Sequence, residues 1–263
     1  IIPVYNDGES LILLIKKIYE VAKINNFFFN ILIIDDASSE TLKINIIDEY
    51  SQYLSIDIIR LNNNLGHQKA IYTGLLYCKK HFTKKIIVMD SDGEDNPLYI
   101  KNLIETSNDN SEKIIVAKRI KRKESLFFIF FYNLYKILFY FLTGHNINFG
   151  NYSIINYKDL NKIIRIEKSY NHFAASLLKC DKNLIKLSIP KGKRYKDNSK
   201  MNFTSLVSHG LDAISIFSKE AIIRTIIISI IGECFLFCLA LIVLYLRFFS
   251  NYLLIGQTTS VLF

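Results

Sequence analysis

The feature that most limits how this chain can fold is a rhythm in its first third. Apolar runs of strand length, each ending in a polar cluster, alternate with stretches of helical period. Ile1 to Val4, Asn30 to Ile34, Ile56 to Leu61 and Ile86 to Met89 are predicted strands, and Ser10 to Ala22, Thr41 to Tyr53 and Gln68 to Lys80 are predicted helices. Strands separated by helices are the pattern of βαβ units and a mostly parallel sheet. In such sheets ligands bind beyond the carboxyl ends of the strands. Four polar clusters fall there: Tyr5-Asn6-Asp7, Asp35-Asp36, Asn62-Asn63-Asn64 and Asp90-Ser91-Asp92.

Composition narrows the class. Half of the 263 residues are hydrophobic and the mean hydropathy is +0.20, which excludes a disordered polar chain. With 10 Gly and 3 Pro, the sequence is neither linker-rich nor of low complexity. Cys78, Cys180, Cys234 and Cys238 are too scattered for a disulfide framework or a thiolate zinc site, and the five histidines read as ordinary surface or core residues. Metal chemistry, if any, falls to carboxylates. The chain opens on Ile1 without Met and closes within an apolar run, so it reads as a piece of a longer protein.

A fifth predicted strand, Lys113 to Ala117, leads into a basic cluster of Lys118, Arg119, Lys121, Arg122 and Lys123. Leu126 to Leu142 follows, aromatic and apolar but at the short limit for crossing roughly 30 Å of hydrocarbon. A helix lying in the membrane interface is the expectation, with a buried core helix as the alternative. Thr225 to Leu246, charged only at Glu233 and followed by Arg247, reads as a transmembrane helix, and Phe248 to Phe263 as the start of a second span.

Asp90-Ser91-Asp92 places carboxylates at the end of a predicted strand, where they could hold a hard divalent cation against a diphosphate. Alone, D-x-D is a weak signal, because Asp is common in surface turns. Asp35-Asp36 could accept hydrogen bonds from a base or ribose, or cap the next helix.

The segments PVYNDGESL (3 to 11), ILIIDDASSE (31 to 40), RLNNNLGHQKAIYTGL (60 to 75) and VMDSDGEDNP (88 to 97) together resemble the family 2 glycosyltransferases in order and spacing. VAKRIKR (116 to 122), NFGNYSIINYKDL (148 to 160) and NSKMNFTSLVSHGLDAISIFS (198 to 218) look like the polyprenyl-phosphate branch, which includes dolichyl-phosphate mannose synthases and bactoprenol glucosyltransferases. The resemblance implies an α/β GT-A fold, Rossmann-like with a mostly parallel sheet, carrying interfacial amphipathic helices and C-terminal transmembrane helices. Its catalytic domain would be residues 1–218 and its membrane region 219–263.

It further implies that Pro3, Tyr5, Asp7, Asp35, Asp36 and Asp90 bind a nucleotide-sugar, that Asp90 and Asp92 hold Mg²⁺ or Mn²⁺, and that Asp92, Arg119 and Arg122 serve catalysis. Arg194 and Lys200 match a second phosphate-binding basic segment, whereas Lys191, Lys193 and Lys196 read as solvated surface. Two positions depart from the family pattern. Glu94 stands where relatives have Gln, and Asn151 in Gly150-Asn151-Tyr152-Ser153 replaces an Asp that is the candidate base.

The expected activity is inverting transfer of a sugar to a polyprenyl phosphate on the cytoplasmic face of the inner membrane, by a multi-pass protein, with homo-oligomers left open. Direct transfer to a saccharide in polysaccharide synthesis is the alternative. A processive synthase would carry Gln-x-x-Arg-Trp, and the chain has no Trp. The formal charge of +9 also admits a non-catalytic protein bound to acidic lipid or nucleic acid, which leaves the acidic strand ends without a role. No nucleic-acid partner is expected.

Overall fold

The computed structural model describes residues 1–40, 42, 48–82, 84–120, 126–196 and 203–249. Three parallel strands, β1 (Ile2–Val4), β2 (Phe29–Asp35) and β3 (Leu54–Arg60), form one sheet in the order β1-β2-β3. The second sheet has the order β4 (Ile86–Val88), β6 (Ser153–Ile155), β5 (Ile115–Ile120), β7 (Ile185–Pro190). Ile1 N donates to Ile87 O at 2.7 Å and Met89 N to Ile1 O at 3.2 Å, which joins β1 to β4 and makes the surface continuous. β6 runs antiparallel to both β4 and β5, while β5 and β7 are parallel.

Alternation along the strands explains why helices cover both faces. Ile33, Ile115 and Ile154 are buried with Leu11 and Leu14 of α1 (Gly8–Asn25) and Leu103 of α3 (Ile100–Asp109). Their neighbours Ile34, Val116 and Ile155 point the other way, into a layer with Ile71 and Leu75 of α2 (His67–His81), Leu160 of α5 (Tyr157–Arg165) and Leu177 of α6 (Phe173–Cys180). Period-two burial on both faces is what a sheet between helical layers requires. Gly74 lets α2 approach the sheet, since a Cβ there would lie 2.6 Å from Ile1 Cγ2.

The predicted strands and the first and third helices fall where expected, with shifted ends. The helix predicted over Thr41 to Tyr53 does not. Its described part is a short 3₁₀ helix, Asp48–Gln52, followed by a turn at Tyr53; residues 41 and 43–47 lie outside the described residues. Tyr50 and Tyr53 pack against Tyr19 of α1, with ring centroids 4.5 and 6.0 Å away, and that aromatic contact favours a tight turn over a continuous helix.

The apolar segment forms α4 (Leu126–Thr143), which is two-faced. Phe139 is buried against Phe217, with ring centroids 5.9 Å apart, whereas Leu134, Ile137, Leu138 and Phe141 are exposed. A wholly buried core helix is therefore excluded. Gly210 of α7 (Phe203–Ser215) lies under Tyr135, where a Cβ would come within 2.8 Å of the ring. α8 (Ser218–Phe249) then continues from α7; among the described residues it is the one helix long and apolar enough to cross a membrane. The second span is expected over Phe248 to Phe263, but Phe248 and Phe249 continue α8 and residues 250–263 lie outside the described residues, so a multi-pass arrangement is not supported.

Candidate active site

The carboxyl ends of β1, β2 and β4 bring the predicted acidic clusters to one rim. Pro3 is buried within β1, Tyr5 is exposed and Asp7 begins α1. Asn6 adopts φ 50° and its Oδ1 accepts from Ser39 N at 2.8 Å, tying the loop after β1 to the loop after β2. Asp35, the last residue of β2, is buried; its Oδ1 accepts from Ser38 N at 2.9 Å and its Oδ2 lies 3.7 Å from Arg60 Nε. Asp36 is equally buried. Its carboxylate accepts from Leu65 N at 2.7 Å and Gly66 N at 2.8 Å, so this side chain braces the approach to α2.

The turn after β4 holds most of the charge. Asp90 Oδ1 lies 3.1 Å from His67 Nε2 and accepts from Asn151 Nδ2 at 3.2 Å. Gln68 Nε2 donates to Asn151 Oδ1 at 3.4 Å, and Gln68 Oε1 accepts from Phe173 N at 2.6 Å, anchoring the amide pair to the start of α6. Burial works to raise the Asp90 carboxyl, but His67, Arg119 and Asn151 overcome it and hold the group well below the usual range. Burial, followed by the charge of Asp90, pushes Asp92 up.

Arg119, on β5, forks between Glu94 Oε2 at 2.6 Å and Asp95 Oδ1 at 2.7 Å, with Asp90 Oδ2 3.9 Å away. The guanidinium expected to meet phosphate is thus taken up by the turn's own carboxylates. Asp95 in turn accepts from Asp90 N at 3.0 Å and is buried, which pushes its carboxyl up against the pull of Arg119.

Arg194 reaches the same turn from the far side. Its Nη2 lies 2.9 Å from Asp92 Oδ2 and its Nε donates to Glu94 Oε1 at 2.8 Å. Lys191 Nζ pairs with Glu94 Oε1 at 2.9 Å, so it is not the solvated surface lysine that the sequence suggests; Lys193 is exposed, and Lys196 is an exposed lysine paired at the surface with Glu9. Burial opposes ionisation of Glu94, but Arg194 and Lys191 more than offset it and lower its carboxyl. Arg122 and Lys200 lie outside the described residues. His67, expected to be an ordinary histidine, is instead an Asp90 partner.

Among the described residues no three His, Cys, Asp or Glu side chains converge as a metal cage. Hard carboxylate oxygens on Asp90 and Asp92, at one strand end, are the donor type that Mg²⁺ or Mn²⁺ takes when substrate phosphates complete the shell. The residues therefore fit such an ion together with a diphosphate.

The profile of the family described as "Glycosyl transferase family 2" matches residues 1–183. The chain belongs to glycosyl transferase family 2. The chain is 26% identical to an uncharacterised glycosyltransferase, YkcC, of Bacillus subtilis (strain 168), in a match covering 99% of this chain and 80% of the relative. It is 30% identical to an undecaprenyl-phosphate 4-deoxy-4-formamido-L-arabinose transferase of Photorhabdus laumondii, over 48% of this chain and 38% of that protein. Among solved structures, glucosyl-3-phosphoglycerate synthase from Mycobacterium tuberculosis, in complex with Mn²⁺, UDP-glucose and phosphoglyceric acid, superposes with a TM-score of 0.55 at 10% identity, covering 84% of this chain and 78% of that one. At that identity the likeness shows the fold, which is GT-A. The chain is a glycosyltransferase of that fold.

Proposed function

We propose that this glycosyltransferase moves a sugar from a nucleotide-sugar to a polyprenyl phosphate at a membrane surface. The observation that carries the reading is the presence in one chain of an acidic turn, Asp90 to Asp95, and of α4 and α8, whose exposed faces are apolar. Residues 1–218 would form the catalytic domain and 219–263 the membrane region, with α4 lying in the interface. The name of the Photorhabdus relative supports a lipid-phosphate acceptor, and the solved relative's complex supports a nucleotide-sugar and a divalent ion.

In this reading Asp90 and Asp92 hold Mg²⁺ or Mn²⁺, which would supply charge neutralisation of the departing nucleoside diphosphate. Tyr5, Asp7 and Asp35 face the nucleotide, with Pro3 and Asp36 shaping the loops beside it. Arg194, together with Arg119, Arg122 and Lys200, balances phosphate charge. A phosphate oxygen of the acceptor forms the bond to the anomeric carbon as the bond to the diphosphate breaks, with inversion. Phosphomonoesters lose their second proton near pH ~6, so this nucleophile is already anionic and needs no base at position 151.

The test is mass spectrometry of lipid extracts after incubating the chain in membranes with a panel of nucleotide-sugars. A new glycosyl phospholipid supports the proposal. Glycosylation of a soluble saccharide and not of polyprenyl phosphate overturns it in favour of direct saccharide transfer.

A further inference from the structure

The segment from Lys191 to Lys196 does more than contribute Arg194. It is laid across the turn after β4 by its backbone as well as its charges: Gly192 N donates to Glu94 O at 2.8 Å and Tyr195 N to Asp92 O at 3.0 Å. The fit is close. A Cβ on Gly192 would lie 2.1 Å from Gly93 O, and a Cβ on Gly93, at φ 88°, would lie 2.6 Å from the Tyr195 ring. Lys17 Nζ sits 4.6 Å from the centre of that ring, and Lys196 pairs with Glu9, so the first turn and the middle of α1 also hold the segment.

Glu94 is the centre of this arrangement. One carboxylate oxygen takes Lys191 and Arg194, and the other takes Arg119. An amide at this position, as in the relatives that the sequence resembles, would present a single acceptor oxygen and an N–H that repels guanidinium donors. The carboxylate here converts the turn from a neutral neighbour into an anchor for the strap that follows β7.

We infer that Glu94 is a positioning residue that latches the Lys191–Lys196 strap over the metal-binding turn, with Arg194 standing on Asp92 until a divalent cation takes its place. The inference rests on the proposal that Asp90 and Asp92 hold the metal and diphosphate. A divalent cation on Asp92 would compete with Arg194 for the charge of that carboxylate, and the repulsion between the two positive groups weakens the Arg194 pair. Cation entry therefore loosens one of the strap's ion pairs, and the freed guanidinium is left beside the site where diphosphate charge arrives.

Amide hydrogen exchange on the full chain in detergent, read by mass spectrometry over residues 191–196, tests this without substrate. In the chelated protein the strap should exchange slowly, and Mn²⁺ alone should speed it about fivefold. Glu94→Gln should speed it about tenfold without metal and leave Mn²⁺ little further effect, while exchange in β2 stays unchanged. Gly192→Ala, which forces the backbones apart, should open the strap by a different route; Lys191→Gln should open it partly. Donor KM should fall in Glu94→Gln with kcat less affected, since donor and metal no longer compete with the latch. Strap exchange within twofold of the parent in both Glu94→Gln and Lys191→Gln overturns the latch, as does slower exchange on adding Mn²⁺, which would make the strap a metal-closed lid. An opened strap in a chain that transfers no sugar to any lipid phosphate would keep the latch and refute the proposed function instead.

Discussion

Asn151 Nδ2 donates to Asp90 Oδ1 at 3.2 Å and lies 3.0 Å from His67 Nε2, so the residue that replaces the family's candidate base is a hydrogen-bond donor to the carboxylate proposed to hold the metal. Asn151→Asp would remove that donor and set a second carboxylate against Asp90. With an acceptor that is already anionic, the transfer rate should stay within about tenfold, or about 1.4 kcal/mol in barrier, and level off above pH ~6 to 7. Rates against pH for both proteins, with polyprenyl phosphate and free polyprenol, check this. A thousandfold gain in Asn151→Asp, or equal use of free polyprenol, would refute the lipid-phosphate mechanism.

Asp92→Asn should lower metal-stimulated transfer by orders of magnitude, because it removes the charge proposed to hold cation and diphosphate together. The same variant also removes the Arg194 ion pair, whose loss alone would act on the strap and not on turnover. Near-normal turnover with Mn²⁺ would contradict the assignment of Asp92.

Asp36→Ala should destabilise the fold rather than act only on donor binding. It leaves Leu65 N and Gly66 N without the carboxylate, a loss of about 2–4 kcal/mol for charge-assisted bonds at a buried site. A lowered thermal midpoint in the ligand-free protein is the expected readout, and an unchanged midpoint with weakened donor binding would give Asp36 a nucleotide role alone.

If α4 lies in the interface, the residues on either side of it share one face of the membrane. Single-cysteine variants at Lys118 and Asn146, both exposed, should react with an impermeant thiol reagent from the same side of sealed vesicles. Labelling from opposite sides would mean that α4 crosses, and would separate Arg119 from Arg194, which the structure places on one carboxylate.

The metal-free protein should lose stability in acid through Glu94. Its carboxyl is held below its ordinary value of 4.5, so the folded state binds fewer protons than the unfolded one around that pH. The stabilisation is complete above about pH 4.5 and disappears as the pH falls through the lower folded value. Thermal midpoints measured from pH 7 down to pH ~3 in chelator should fall less steeply in Glu94→Gln than in the parent. Parallel curves would show that its ion pairs contribute nothing measurable.

The order of strands and helices is legible because apolar runs of strand length and strand-end polarity are local signals: Ile31 to Ile34 is apolar at every position, as a strand covered on both faces requires. The turn at Asp48–Gln52 is not, since the contacts of Tyr50 and Tyr53 with Tyr19 are tertiary. The acidic turn could be found by its motif, but its partners could not. Arg194 and Glu94 are 100 residues apart, and a run of lysines gives no local sign of which ones meet a carboxylate. His67 likewise reads as an ordinary histidine and Gln68 as the start of a helix, because only the fold brings them to Asn151, 83 residues beyond Gln68.

The reversed direction of β6 gives the site two kinds of wall. β2, parallel to both of its neighbours, delivers Asp35 from its end, and β4, joined to β1 through Ile1, is followed by Asp90. β6 delivers Asn151 from its beginning, straight out of the connection that follows α4. Insertions or exchanges in residues 144–150 can therefore reshape one wall while Asp35 keeps its place at the end of β2; Asn151 is bonded to Asp90 and couples the two walls. Under the proposed function, divergence can proceed on that side of the cleft, so a lineage could acquire a new partner for the sugar without relearning how to grip the nucleotide.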